Sequence, residues 1–122
     1  MQILLVDDEK TIRKGLGFAL RKKGYQVDEI ETAYQALQKK YLAKFDLIIL
    51  DLNLPYISGS EFIKILMKKK IDVPVLIMTS QSEGSADSPD VQFIPGQIIS
   101  KDLTMTEILE SIEQFIKIQL TK

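Results

Sequence analysis

Residues 46–51 read DLIILD, an apolar run that stops at a carboxylate. An unbroken apolar run is typical of a strand that is covered on both faces, so residues 46–50 are predicted to form an internal strand of a parallel sheet. The carboxyl ends of parallel strands share one edge, and open α/β sheets bind their ligands at that edge. Asp51 is therefore predicted to lie where a ligand binds.

Three other apolar runs also end at polar residues, which are Asp7 with Asp8, Thr79, and Lys101. If these runs are strands of the same sheet, all of these side chains meet Asp51 at one edge. Three carboxylates that converge without a counter-charge repel one another, so the grouping implies a bound divalent cation, and Lys101 adds one fixed positive charge. Taken singly, each residue fits an ordinary loop or, for Asp8, a helix cap. The prediction depends on their convergence.

Strand and helix patterns alternate along the chain. The predicted strands cover residues 2–6, 25–30, 46–50, 73–78 and 98–99. The predicted helices cover residues 9–22, the segment capped by Thr32, the segment around Phe62, and residues 104–119 with Thr104 as the cap. This alternation predicts a single α/β domain over residues 1–122, a (βα)5 doubly wound, five-stranded parallel sheet. Residues 80–97 lack an apolar stripe, so the fourth helix is predicted to be short or distorted, around residues 83–88.

The composition excludes several kinds of chemistry. The 122 residues include no Cys and no His, and their formal net charge is −1. Thiolate catalysis, disulfides and imidazole ligands are therefore absent, and any metal must be held by oxygen. The charge argues against nucleic acid as a direct ligand. The first strand begins almost at once, and no long apolar stretch follows, so we expect a cytoplasmic protein that does not insert into a membrane.

The residue types at the predicted edge suit magnesium and phosphoryl chemistry. Mg²⁺ prefers octahedral oxygen coordination and keeps several waters, so the three aspartates and the backbone carbonyl of Asn53 would supply enough protein ligands. A carboxylate can attack phosphorus and form an acyl phosphate, which requires mainly alignment and charge neutralisation. The Thr79 hydroxyl and the Lys101 ammonium would bind phosphoryl oxygens. These features predict an aspartate that accepts a phosphoryl group.

Four segments resemble the receiver domain of bacterial two-component response regulators. They are ILLVDDE at 3–9, DLIILDLNLPYISGSEF at 46–62, VPVLIMTS at 73–80 and IISKD at 98–102. The resemblance covers essentially the whole chain, with the elements in a fixed order and at matching separations. It implies the flavodoxin-like strand order 2-1-3-4-5.

The resemblance also implies a role for each edge residue. Asp51 resembles the phosphoacceptor, Asp7 and Asp8 the acidic pair that binds Mg²⁺, Thr79 the switch hydroxyl, and Lys101 the lysine that contacts the phosphoryl group. The family relationship further implies phosphorylation by a sensor histidine kinase or a phosphotransfer protein, a downstream protein partner, and a monomer or weak dimer. It implies a signalling phosphoacceptor and not a classical enzyme.

Three features depart from the family pattern. Asp102 follows the lysine where family members have a proline, often in a cis peptide. A cis bond before a non-proline residue costs about 2.5–4 kcal/mol, so this peptide is predicted to be trans. The extra carboxylate is expected beside Lys101, where it would divert the charge of the ammonium group. Ile98 replaces the aromatic switch residue, and the region of the fourth helix is poorly specified, so we predict a complete site with an altered readout.

Two other classes of function stay open on the sequence alone. A pseudo-receiver, whose interactions ignore phosphate, is favoured by Ile98, Asp102 and the irregular stretch 80–97. A Mg²⁺-dependent phosphohydrolase with an aspartate nucleophile would need a second acid two residues later, where Asn53 lies. Flavin binding ranks lower, because acidic residues follow the first strand where Gly, Ser or Thr would hold a phosphate. The leading prediction is a phosphorylation-controlled signalling domain.

Overall fold

The computed structural model describes residues 1–37, 42–51, 57–80 and 96–120. Its strands are β1 (Gln2–Val6), β2 (Gln26–Ile30), β3 (Leu47–Asp51), β4 (Val75–Thr79) and β5 (Ile98–Ser100). Its helices are α1 (Lys10–Lys22), α2 (Ala33–Leu37), α3 (Gly59–Lys68) and α4 (Met105–Leu120), with a 3₁₀ turn at Leu42–Lys44. The short helix predicted around 83–88 lies outside the described residues, as does most of the stretch 80–97.

The five strands form one sheet in the order β2-β1-β3-β4-β5. Each neighbouring pair is parallel, so the predicted parallel sheet and its strand order are confirmed. The central strand β3 is buried along its whole length, as its continuous apolar sequence predicts. Because β1 and β3 are neighbours, the residues that follow β1 lie beside the end of β3.

Two apolar layers cover opposite faces of the sheet. One layer contains Ala33, Ala36, Phe62 and Leu66 from α2 and α3 with the strand residues Leu4, Val6, Ile48, Leu50, Val75 and Ile77. The other contains Leu16, Leu20, Ile108, Ile112 and Phe115 from α1 and α4 with the strand residues Ile3, Leu5, Leu47, Ile49, Leu76 and Met78. Successive strand residues alternate between the layers, as a pleated strand requires. No helix in the described segments is long and apolar enough to cross a bilayer.

Three strands, β3, β4 and β5, extend one residue further than the sequence predicts, and the first two end at predicted site residues. Asp51 is the last residue of β3, in register with Met78, and Thr79 is the last residue of β4, in register with Ser100. The prediction that both strands stop before their polar residue is therefore wrong by one position. The reason is that backbone pairing with the neighbouring strand continues whatever the side chain. Both side chains are consequently held by the sheet and not by a loop.

Thr32 and Thr104 cap α2 and α4, as predicted, and in each case the hydrogen bonds of the cap are reciprocal. The Thr104 hydroxyl accepts a hydrogen bond from the Glu107 N–H at 3.2 Å, and Glu107 Oε1 accepts one from the Thr104 N–H at 2.9 Å. The bond from the Thr104 N–H to the carboxylate, together with a hydrogen bond from the Thr104 side chain, holds the pKa of Glu107 below its ordinary value. Thr32 and Gln35 make the equivalent pair before α2. Both caps satisfy backbone donors that have no partner inside the helix.

Removal of the α4 cap should lower the stability of the protein. We expect Thr104→Ala to reduce the free energy of unfolding by about 1 kcal/mol, because the Glu107 N–H loses its acceptor. Thr106→Ala is the matched control, since Thr106 is an exposed residue in the first turn of the same helix. Urea unfolding of the two variants measures the difference. Equal midpoints for the two variants would contradict a capping role for Thr104.

Candidate functional site

Three carboxylates meet at the carboxyl edge of β1 and β3. Asp7, Asp8 and Asp51 each offer one oxygen, and these oxygens all lie within 4.8 Å of one another. Asp7 and Asp51 are buried, whereas Asp8 is exposed. The structure thus brings together the three acids that the sequence places at this edge. Their oxygens are close enough to share one cation of the size of Mg²⁺.

Lys101 lies at the centre of this cluster. Its Nζ is 3.0 Å from Asp7 Oδ2 and 3.0 Å from Asp51 Oδ2, and the side chain is only 3% exposed. The Lys101 N–H also donates to the Thr79 carbonyl at 2.8 Å, so the end of β4 fixes the backbone of the lysine. The buried ammonium group therefore joins a carboxylate that directly follows β1 to one at the end of β3.

Glu9 is a further site residue that the sequence reasoning missed. Its Oε1 accepts a hydrogen bond from Lys101 Nζ at 2.9 Å, although its side chain is 52% exposed. Glu9 lies two residues beyond Asp7, and its N–H donates to Asp7 Oδ1 at 2.8 Å. This bond turns the chain back over the edge and brings the Glu9 carboxylate to the lysine. A third consecutive acid after a strand was the available signal.

Asp8 does not cap the first helix. The capping position of α1 is occupied by Glu9, and no side-chain capping bond is made there. The prediction that Asp8 caps the helix is therefore wrong, and its carboxylate stays available at the edge.

Thr79 is buried at the end of β4 beside β5. Asn53, whose backbone carbonyl is a predicted metal ligand, lies outside the described residues.

Two predictions concern Asp102, which lies in the turn after β5, and the structure bears out one of them. The peptide between Lys101 and Asp102 is trans, as predicted, because the described residues contain no cis peptide. The Asp102 N–H donates to Ser100 Oγ at 3.1 Å, a bond that a proline could not make. Across the described ranges, the carboxylates within 4.0 Å of Lys101 Nζ belong to Asp7, Glu9 and Asp51. The expectation that Asp102 diverts the lysine is therefore wrong.

Ile98 occupies the position of the missing aromatic residue. It pairs with Ile77 across β4 and β5 and packs half-buried against the layer that contains α2 and α3. An aliphatic side chain at this position has no ring to rotate.

Burial and charge shift the pKa values of the cluster. Burial raises the pKa of Asp7 above 3.8, although the Glu9 N–H and Lys101 oppose the change. Asp8 is exposed, but partial desolvation of its carboxylate beside Asp51 raises its pKa as well, and the Asp51 charge adds to that effect. Burial alone would favour neutral Lys101, but its hydrogen bonds to Glu9, Asp51 and Asp7 outweigh burial and raise its pKa.

Four carboxylates therefore face one ammonium group at this edge. Desolvation disfavours ionisation of Asp8, and repulsion from the Asp51 charge disfavours it further. A divalent cation would relieve this repulsion, and an all-oxygen donor set is the kind that Mg²⁺ prefers. The residues present thus fit a magnesium ion.

A family model of the response regulator receiver domain matches residues 3–113. The chain belongs to this family. Receivers are signalling modules and not classical enzymes. The family match begins at the second residue of β1, covers the other four strands completely and ends within α4, which agrees with the architecture described above.

Several curated regulatory proteins, two of them transcriptional regulators by name, are similar to this receiver. BasR from Escherichia coli K12 is 37% identical over 81 residues, which cover 66% of this chain and 36% of that protein. PhoP from Bacillus subtilis 168 is 39% identical over 82 residues, covering 67% of this chain and 34% of that protein. Response regulator RR06 from Streptococcus pneumoniae is 27% identical over 117 residues, covering 96% and 54%. The receiver spans about a third to a half of the length of these relatives.

Solved receivers share the fold. The response regulator TrrA from Thermotoga maritima, in complex with Mg²⁺–BeF, has a TM-score of 0.74 and 31% identity, and the match covers 93% of this chain and 96% of TrrA. The non-phosphorylated HemR receiver from Leptospira biflexa has a TM-score of 0.74 and 28% identity, covering 93% and 91%. Together with the family match, these likenesses place the acidic edge of this chain in a receiver fold.

Proposed function

We propose that residues 1–122 form one receiver domain, in which Mg²⁺-dependent phosphorylation of Asp51 switches a protein–protein interaction. The observation that carries this proposal is the buried Asp51 carboxylate, which lies 3.0 Å from Lys101 Nζ and shares one edge with Asp7 and Asp8. The complex of the related TrrA with Mg²⁺–BeF supports it further. The donor would be a sensor histidine kinase or a phosphotransfer protein.

The chemistry follows from the residues around Asp51. A carboxylate oxygen of Asp51 attacks the phosphorus, the bond from phosphorus to the donor's histidine nitrogen breaks, and its electron pair remains on the imidazole. Mg²⁺ held by Asp7, Asp8, Asp51 and the Asn53 carbonyl would neutralise phosphoryl charge. The Lys101 ammonium binds a second phosphoryl oxygen, and the Thr79 hydroxyl donates to a third.

Phosphorylation would change the partners of Lys101. In the unphosphorylated protein its Nζ is shared among Asp7, Glu9 and Asp51. A phosphoryl group on Asp51 offers stronger acceptors and more charge, so it would draw the ammonium away from the exposed Glu9. Such a change biases a two-state equilibrium of the turn that follows β5, and a partner protein could read that bias.

The test is direct phosphorylation followed by intact-mass measurement. With Mg²⁺ and a small acyl phosphate as donor, we expect the wild type to gain one phosphoryl group and Asp51→Asn to gain none. Asp46→Asn is the matched control, since Asp46 precedes the same strand at the opposite edge, where it accepts from the Gln2 N–H at 2.7 Å. Asp46→Asn should be modified like the wild type. A wild type that gains no mass would overturn the proposal.

A pseudo-receiver is the second candidate, and the aliphatic Ile98 at the position of the aromatic switch favours it. In that case the domain would bind its partner without regard to phosphate. Equal partner binding by Asp51→Asn and by the phosphorylated wild type would support the pseudo-receiver. A difference between them would support the switch.

A further inference from the structure

Arg13 is a buried charged residue for which the sequence analysis predicts no role. In the described ranges, the buried polar or charged residues are Asp7, Arg13, Asp51 and Thr79. Three of these belong to the acidic edge, and Arg13 lies beside it in the first turn of α1. Arginine is rarely buried this completely unless it is paired. Its partners therefore indicate what it does.

The guanidinium group of Arg13 connects the acidic edge to the end of β2. Its Nη1 donates to the Asp7 carbonyl at 2.9 Å, and this bond is buried. Its Nε is 3.6 Å from Glu29 Oε1, and its Nη2 is 3.6 Å from Glu31 Oε1. Glu29 itself is 8% exposed and lies in register with Leu5 of β1. The planar guanidinium group thus lies between the two glutamate carboxylates on one side and the Asp7 carbonyl on the other.

The Asp7 carbonyl belongs to the same peptide unit as the Asp8 N–H. A peptide unit is planar, so a bond that fixes this oxygen also fixes the direction in which the chain enters Asp8. The Asp7 residue is separately held, because its N–H donates to the Ile30 carbonyl at 3.1 Å and its Oδ1 accepts from the Glu9 N–H. Arg13 adds the restraint that bears on the exposed Asp8.

We propose that Arg13 is a positioning residue, which orients the Asp7–Asp8 peptide so that the Asp8 carboxylate is placed for Mg²⁺. This inference rests on the proposed function, because it assumes that Asp8 is a metal ligand. Groups that orient the ligands of a metal typically change its affinity by about 10–100-fold when they are removed. Arg13 acts through Asp8 and does not itself contact the ion.

The test compares two arginines of α1 that share Glu29. Arg21 Nη1 is 2.7 Å from Glu29 Oε2, and its Nη2 donates to the Val27 carbonyl at 2.7 Å, so Arg21 supports Glu29 without bonding to Asp7. Titration calorimetry with Mg²⁺ should show about 10–100-fold weaker binding for Arg13→Met. Arg21→Met should bind within about threefold of the wild type. Urea unfolding without metal reports the structural effect of each substitution.

The outcomes separate this inference from the proposed function. If the wild type binds Mg²⁺ and folded Arg13→Met binds it with the same affinity, Arg13 is not a positioning residue. The proposed function would still stand. No Mg²⁺ uptake by the wild type would overturn both. A similar loss of affinity in Arg13→Met and Arg21→Met would mean that the Glu29 ion pairs matter and not the Asp7 bond, which also overturns the inference.

A second variant covers the case in which Arg13→Met fails to fold. Arg13→Lys keeps a positive charge beside Glu29, but a single ammonium cannot reproduce the fork that spans Asp7, Glu29 and Glu31. We expect Arg13→Lys to be folded and to bind Mg²⁺ at least about tenfold more weakly than the wild type. Wild-type affinity in Arg13→Lys would overturn the inference.

Discussion

Replacing Lys101 with methionine is expected to lower the free energy of unfolding by about 3–5 kcal/mol at pH 7 without metal, the cost typical of removing one partner from a buried ion pair. Methionine has a similar length and no charge, so Asp7 and Asp51 would lose a shared counter-ion that lies 3.0 Å from each of them. Urea unfolding measures the loss. Added Mg²⁺ should restore much of it, since the ion would take over the neutralisation of the carboxylates.

A surface lysine provides the control for this effect. Lys23 Nζ is 2.8 Å from Glu113 Oε1, but the two side chains are 44% and 38% exposed. We expect Lys23→Met to leave the urea midpoint close to that of the wild type, because solvent screens an exposed pair. If Lys23→Met and Lys101→Met lose the same free energy of unfolding, burial of the Lys101 ion pairs does not strengthen them.

The loss caused by Lys101→Met should depend on pH. The pKa of Lys101 is raised in the folded protein. The contribution of Lys101 to stability is therefore complete below pH 10.5 and is lost only as the pH rises through the pKa of the folded state. The pKa of Asp7 is also raised, so acid protonates Asp7 in the folded state while it is still ionised in the unfolded chain. The difference between wild type and Lys101→Met should therefore shrink at acid pH. A difference that stays constant from pH 4 to pH 7 would argue against an electrostatic origin.

The sequence was sufficient to predict the sheet and most of the acidic edge. Continuous apolar runs identify buried parallel strands, and the carboxyl ends of such strands must meet. The same rule places Asp7, Asp51, Thr79 and Lys101 near one another before any coordinates are known. The position of Lys101 between two carboxylates then follows from charge. These predictions depend on topology and not on details of side-chain direction.

The contacts of Glu9 and Asp102 could not be predicted, because both residues lie in turns. Whether a turn residue faces the site depends on local hydrogen bonds, such as the Glu9 N–H to Asp7 Oδ1 and the Asp102 N–H to Ser100 Oγ. Residue spacing carries no information about these bonds. The sequence predicts the extra carboxylate beside Lys101 at Asp102, whereas in the structure it belongs to Glu9.

Arg13 illustrates a signal that was present in the sequence. It lies three residues before Leu16 and seven before Leu20, which places it on the buried stripe of α1. A charged residue on such a stripe needs a buried partner, and β2 supplies the buried Glu29 carboxylate, with the exposed Glu31 just beyond the strand. What the spacing does not show is the bond to the Asp7 carbonyl, because backbone acceptors are identical in every residue.

Asp8→Asn is expected to remove most of the stabilisation by Mg²⁺. A ligand present at 100 times its dissociation constant stabilises a protein by about 2.7 kcal/mol, and a 100-fold weaker affinity reduces this gain to about 0.4 kcal/mol. We expect the wild type and Asp8→Asn to show these two values when unfolded by urea at the same Mg²⁺ concentration. Asp72→Asn is the control, because Asp72 is exposed in the segment between α3 and β4, away from the acidic edge.

The same substitution should stabilise the metal-free protein, by up to about 1 kcal/mol as for other exposed charges. Partial desolvation and the Asp51 charge raise the pKa of Asp8, so ionisation of Asp8 lowers stability as the pH rises from 3.8 through its pKa in the folded protein. Asparagine removes this charge, and the stability of Asp8→Asn should fall less over that range. A cation site predicts that the charge of Asp8 lowers the stability of the protein without metal and raises it when Mg²⁺ is bound. A variant that is less stable than the wild type without Mg²⁺, yet gains as much from the ion, would show that Asp8 has a structural role and is not a ligand.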